Sequence, residues 1–162
     1  MIRTALISTC GVYRYELRRH WGEPDSQNIM AICGANPSTA DAQVDDATIR
    51  REIGFAKREG CDGLVKVNVG AFRATNPKDC PGGVETFGPA NLLALLKVAK
   101  ECPVVVCAWG AVADPYCVRR ALEAFDRAGS ILMCFGMNGD GSPKHPLYLP
   151  LNRPLVAWKL AK

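Results

Sequence analysis

Four short apolar runs set the rhythm of this chain: residues 29–33, 64–69, 104–108 and 131–135, each closed off by polar or turn-forming residues. Runs this short and continuous, rich in valine and isoleucine, predict strands buried on both faces. Between them the apolar period lengthens to that of a helix. Ile49, Ile53 and Ala56 share one face of a first helix, for which Asp45 or Asp46 is the candidate cap. Residues 92–100 form a second helix with Asn91 as its candidate cap. Val118, Ala121, Leu122 and Phe125 recur at i, i+3, i+4 and i+7 and predict a third, ending before Gly129. Alternation of strand and helix is the pattern of βα units that feed a parallel sheet. Upstream, residues 4–9 and 12–19 alternate partially about Cys10 and Gly11, which predicts a β-hairpin. The expected fold is therefore α/β, with a central, mainly four-stranded parallel sheet. One domain spans 1–162, and an N-terminal hairpin within residues 1–21 packs on it.

Composition narrows the function classes. A chain of 162 residues that is 48% hydrophobic can bury one substantial core. No apolar run approaches the ~20 residues of a membrane-spanning helix, and the opening Met1-Ile2-Arg3-Thr4 lacks the apolar stretch of a signal peptide. A cytoplasmic protein without membrane association is expected. The eight cysteines sit singly inside apolar runs, which fits buried thiols better than a disulfide framework. No C-x-x-C pair is present, Cys102 and Cys107 being the nearest two, so neither a metal nor another cofactor is expected. The net charge of +4 permits nucleic-acid binding without requiring it. Its carriers cluster: Arg14, Arg18, Arg19 and His20; Arg50, Arg51, Lys57 and Arg58; Arg119 and Arg120. No feature demands an obligate protein partner.

Every predicted parallel strand ends in small or polar residues. The first runs into Gly34, Ala35, Asn36, Pro37, Ser38 and Thr39. The second ends at Asn68 and continues through Phe72 and Arg73. The third ends at Trp109 and Gly110. The fourth is followed, beyond a glycine-rich turn, by Lys144, His145, Pro146, Leu147 and Tyr148. Ligands of open parallel sheets collect at this edge, where loops vary and helix N-termini face outward. Four such ends argue for one site.

In this order of motifs the chain resembles the uracil-DNA glycosylase superfamily, in particular a divergent bacterial and phage branch catalogued as a domain of unknown function. Members of the superfamily carry a G-x-N-P or G-x-D-P turn after the first parallel strand and an asparagine at the end of the second. A tryptophan–glycine pair follows the third, and a His-Pro or Asn-Pro loop the fourth. Here the matching residues are Gly34 to Pro37, Asn68, Trp109 with Gly110, and His145 with Pro146. The resemblance implies a three-layer sandwich and a monofunctional DNA glycosylase that leaves an abasic site.

What the resemblance assigns makes chemical sense. A flipped nucleotide enters a pocket and its base is read by hydrogen bonds and aromatic contact. Asn68 matches the base-reading amide, whose donors and acceptor suit that task. His145 matches the donor that stabilises negative charge on the departing base. Asn36 matches the residue that holds the attacking water, yet an amide cannot accept a proton. Asp41, Asp45 or Asp46 could supply the missing carboxylate; Asp46 is preferred, although helix capping also accounts for it. Gly34, Ala35, Pro37, Ser38, Phe72, Arg73 and Trp109 complete the expected substrate contacts. Ser38, Thr39, Arg50 and Lys144 are expected on DNA phosphates, and Leu147 or Tyr148 in the gap left by the flipped base.

The amide at position 36 disfavours plain uracil, so a modified or damaged pyrimidine is expected, with a role in defence against phage DNA carrying modified cytosine. Two other classes stay open: a nucleotide- or base-modifying enzyme of the same fold, and a nucleic-acid-binding module with a degenerate pocket. A serine nucleophile at Ser38 lacks the surrounding G-x-S-x-G elbow. Lyase chemistry needs an amine near the sugar. Of the two lysines near the motifs, Lys144 is in a loop and Lys66 inside a strand, which disfavours it. His20 and Trp21 read as packing and surface.

Overall fold

A computed structural model describes residues 1–159. The predicted hairpin is β1 (Ile2–Ile7) and β2 (Arg14–His20), paired antiparallel. The four apolar runs are β3 (Ile29–Gly34), β4 (Gly63–Asn68), β5 (Val104–Cys107) and β6 (Ile131–Cys134). Helices α1 (Ala47–Arg58), α2 (Gly83–Phe87), α3 (Asn91–Glu101) and α4 (Pro115–Ala128) connect them, and a short β7 (Val156–Ala157) closes the described chain. Strand order is β1-β2-β4-β3-β5-β6-β7. The central four strands are mutually parallel, and antiparallel pairings flank them on both sides. Among the described residues no helix is long and apolar enough to cross a membrane.

Strand alternation sends successive side chains to opposite faces, and each face has its own core. Ala31, Cys33, Val65, Val67, Val105 and Cys107 pack under α3 and α4 with Leu95, Val98, Ala121 and Phe125. Met30, Ile32, Leu64 and Val106 pack under α1 with Ile49, Ile53, Phe55 and Phe135. Phe55 and Phe135 stack at a centroid distance of 4.2 Å. Each such ring, fully buried, contributes roughly 1.5–3 kcal/mol. Helices on both faces make the α/β/α sandwich. The predicted double burial holds for β3 and β4 but weakens outward, where Val104 and Ile131 are exposed.

The hairpin joins the domain through its sheet: β2 pairs with β4 and so extends it. Within β2, Arg14 and Arg19 are buried. Arg19 Nε donates to Asp45 Oδ1 at 2.7 Å, in a pair almost closed to solvent. Asn91 does not cap α3. It is the first helical residue, behind Ala90, and its Nδ2 donates to the carbonyls of Asn68 and Val69. An extended strand end leaves those carbonyls without sheet partners, and Asn91 supplies them. All eight cysteines are free, five of them buried.

Candidate functional site

The carboxyl ends of β3, β4 and β5 and the loop after β6 converge on one cavity of about 450 Å³. A volume of that order suits a single base or nucleoside. Its wall includes Gly34, Ala35, Asn36, Ser38 and Thr39 from the first turn, Asn68 from β4, Trp109 after β5, and His145 and Leu147 from the last loop. Asp46 at the start of α1 joins them, as do Arg14 and Lys66. A roomier and more apolar cavity, about 660 Å³, lies on the other side of Trp109 under Val118, Leu122 and Trp158. It lacks the convergent amide and imidazole groups of the first.

The first turn is locked to the second strand end. Val69 N–H donates to Gly34 O and Gly70 N–H to Ala35 O, at 2.8 and 2.9 Å. Pro37 is buried beneath the turn and accepts from Ala74 N–H. Asn36 donates Nδ2 hydrogens to Ala74 O (2.9 Å) and Pro37 O (3.2 Å). Its Oδ1 receives no hydrogen bond from the described residues, and with both Nδ2 hydrogens engaged the oxygen is the polar capacity that Asn36, a residue of the cavity wall, has left to offer. Gly34 is needed for closeness. A Cβ there would lie 2.6 Å from Lys66 Nζ and 2.8 Å from Asn68 Oδ1, well inside van der Waals contact.

Asn68 is 2% exposed, and its Nδ2 has no partner. A buried amide left without an acceptor costs free energy, which a ligand carbonyl or ring nitrogen would recover. Arg14, equally buried, donates from Nη1 to Ala40 O at 2.7 Å and leaves Nε unpartnered. Burial draws its guanidinium down to about 10, with Asp46 and Glu52 opposing that fall. It stays cationic at neutral pH.

His145 stands at the mouth, reachable by solvent yet backed by protein. Leu147 N–H donates to its Nδ1 at 3.2 Å. An accepting Nδ1 puts the neutral ring's proton on Nε2, which becomes the donor. Desolvation lowers the imidazole below its ordinary value, and the positive charge of Lys66 lowers it further, against Asp46. Gly110, with φ of 72°, turns the chain left-handedly beside His145 and donates to Pro143 O. Trp109 is both cavity wall and core: 2% exposed, it lines the cavity and meets Trp158 edge to face at 5.2 Å.

Asp46 caps α1 through Oδ1, which accepts from Ile49 N–H at 2.8 Å, and it also lines the cavity. The other two carboxylates are occupied elsewhere. Asp45 holds Arg19 and Arg3, and Asp41 Oδ1 accepts from Gln43 and Val44 N–H.

Several expected residues lie off the cavity wall. Phe72 packs edge to face on Tyr13, because residues 71 and 72 turn away to bond Thr86. Arg73 follows that turn and reaches Gly11 O at 3.3 Å. Arg50 is exposed and donates to Asp45 O. Lys144 meets Asn138 Oδ1 at 3.5 Å, and Tyr148 is 91% exposed.

Arg14, expected only as part of a basic cluster, and Lys66, set aside for lying inside a strand, both line the cavity, and Glu52 was not singled out at all. Lys66, 4% exposed, lines the cavity and is ion-paired to the fully buried Glu52 of α1. Burial raises the Glu52 carboxyl, with Lys66 acting against that rise. Their signal was present: a lysine in a wholly apolar strand at the same parity as Asn68, and a glutamate on the apolar face of α1, one turn after Ile49.

Residues 14–147 match the family model described as "Protein of unknown function (DUF1643)". The chain belongs to that family. The matched span begins at Arg14 and ends at Leu147, so the DUF1643 match takes in every residue named above on the wall of the 450 Å³ cavity. No curated protein and no solved structure matches the chain.

Proposed function

We propose that this DUF1643 protein is a DNA glycosylase that hydrolyses the N-glycosidic bond of a flipped pyrimidine nucleotide and leaves an abasic site. The observation that carries the reading is complementary polar capacity in one cavity. Asn36 offers only an acceptor, Asn68 an unpartnered buried donor, and His145 a donor at Nε2.

Each capacity has a step. Asn68, beside the Trp109 wall, reads the base edge. Asn36 Oδ1 accepts a hydrogen from water and aims the oxygen lone pair at the sugar carbon. As the bond breaks, negative charge grows on the base, and the His145 Nε2–H stabilises it without surrendering a proton. A single preorganised donor of this kind is worth about 10²–10³ in rate. Asp46 is the carboxylate placed to take the proton from water, a task the amide of Asn36 cannot perform. Backbone N–H groups and hydroxyls of Ser38 and Thr39 grip the adjoining phosphate.

The amide at 36 points away from plain uracil and toward a modified or damaged pyrimidine, with modified cytosine of phage DNA the favoured source. The test is incubation with single- and double-stranded DNA carrying natural and phage-type bases, followed by detection of free base and alkali-labile sites. Asn36→Ala and His145→Ala are expected to lower base release by about 10²-fold or more while circular dichroism stays native. Absence of release from every DNA, with free nucleotides altered instead, overturns the proposal.

A further inference from the structure

Hydrolysis of the glycosidic bond makes no use of Lys66, although its ammonium sits on the wall of the same cavity. A strand buried on both faces is an expensive place for an amine. Two features hold it there. Glu52 pairs with it from α1, and Gly34 omits the Cβ that would lie 2.6 Å from Nζ. The missing Cβ leaves Nζ against Gly34 of the first turn, on the side that also carries Asn68 Oδ1, and Asn36 lines the same cavity. If those two amides flank the sugar and the base, Lys66 approaches the bond between them from that shared wall.

We propose that Lys66 is a second nucleophile, condensing with the open-chain aldehyde of an abasic deoxyribose and giving the protein an abasic-site lyase activity. The inference rests on the reading of the cavity as a deoxynucleotide site. Lysines that form Schiff bases are desolvated or set beside other cations, and Lys66 is buried on a wall shared with Arg14.

The ammonium first passes one proton to Glu52, the hydrogen-bonded carboxylate. Burial already raises that carboxyl, so it is a ready acceptor. The freed nitrogen pair forms a bond to C1′ of the aldehyde. The carbonyl oxygen takes one proton from that nitrogen and one back from Glu52, and departs as water, leaving an iminium between Nζ and C1′. A base then removes a C2′ proton; Asp46 and His145 line the cavity for this. The electron pair released forms the new C2′–C3′ double bond as the C3′–O bond breaks, and the 3′-phosphate leaves with its bonding electrons. Water hydrolyses the iminium, returning Lys66 as the ammonium and releasing an unsaturated aldehyde. No oxidant, metal or further reactant enters.

The experiment uses the full chain with DNA that already contains an aldehydic abasic site, in the presence of borohydride, which reduces an iminium to a permanent amine. Wild type is expected to give a covalent protein–DNA adduct that peptide mass mapping places on Lys66. Lys66→Arg keeps the charge and the Glu52 partner but lacks a nucleophilic amine, so the adduct should fall by at least about tenfold in a protein of native circular dichroism. Mapping the wild-type adduct needs no variant and decides the case if Lys66→Arg misfolds. Absence of an adduct, or one on Lys144 or another amine, overturns the proposal. Base release from modified DNA without any adduct on abasic DNA removes the lyase and leaves the glycosylase. A Lys66 adduct with no base released from any DNA does the reverse.

Discussion

Asn36 and Asn68 are the same side chain turned to opposite uses by their surroundings. Asn36 commits its hydrogens to two carbonyls and presents oxygen; Asn68 is buried with its nitrogen unpartnered. His145 completes the set, and its titration gives the site a pH signature. Both ring forms donate from Nε2, but only the neutral ring keeps Nδ1 as the acceptor of Leu147 N–H that holds this orientation, and both desolvation and Lys66 lower the imidazole from its ordinary 6.5. At any acid pH the neutral fraction is therefore larger than for an ordinary imidazole, and its loss is displaced further into acid. The acid limb of base release should have its midpoint below the ordinary histidine value of about 6.5. Folding stability moves the same way: the unfolded chain binds a proton near 6.5 while the folded ring resists it, so stability drops as pH falls through that window. Lys66→Met removes one of the two causes, and ring resonances followed by NMR should titrate closer to 6.5 than in wild type. An unchanged His145 titration in a folded Lys66→Met protein would show that the lysine does not act on this ring.

At the scale of elements, the strands and helices were largely legible. All four apolar runs became parallel strands, and the helical periods became α1, α3 and α4. Illegible were the features set by pairing between distant segments. That β2 joins β4 is a choice between sheet edges which local alternation does not encode, and with it went the burial of Arg14 and Arg19. Phe72 and Arg73 were misplaced for a similar reason, because the chain turns at residue 71 toward Thr86 rather than along the cavity. Lys66 was legible in parity but was set aside, and Glu52 went unremarked, since a charge in a buried strand only makes sense once its partner helix is known. Asp46 shows one element serving two ends, a cap for α1 and a carboxylate in the cavity. Serine separates them, for it caps nearly as well as aspartate and carries no charge. Asp46→Ser should unfold within about 0.5 kcal/mol of wild type in urea, whereas Asp46→Ala loses about 1 kcal/mol. If the carboxylate activates water, base release by Asp46→Ser falls by about tenfold or more; wild-type turnover would leave capping as its whole role.

At the scale of the molecule, a cavity that takes a nucleotide drawn from duplex DNA, as proposed, would meet that DNA at the loop after β6, which edges its mouth. Pro146 is buried, Leu149 N–H donates to Pro146 O, and Arg51 Nε donates to Leu147 O at 3.3 Å. The loop is thus pinned at the mouth, with Leu147 turned into the cavity wall and Tyr148 turned out, 91% exposed. An aromatic ring so placed contributes almost nothing to folding, since it leaves little area buried. Its use would come on duplex DNA, where filling the gap behind an extruded base offsets an unstacking cost of a few kcal/mol. Single-stranded DNA has no such gap. Tyr148→Ala should therefore leave the urea midpoint unchanged and single-strand base release within about twofold, while slowing release from duplex by about tenfold or more. Equal losses on both substrates would mark Tyr148 as a general DNA contact, and no loss on either would return it to the ordinary surface. Because the ring buries so little, a strand-selective loss could not be traced to misfolding, and the wedge would then be read from the ratio of the two rates alone.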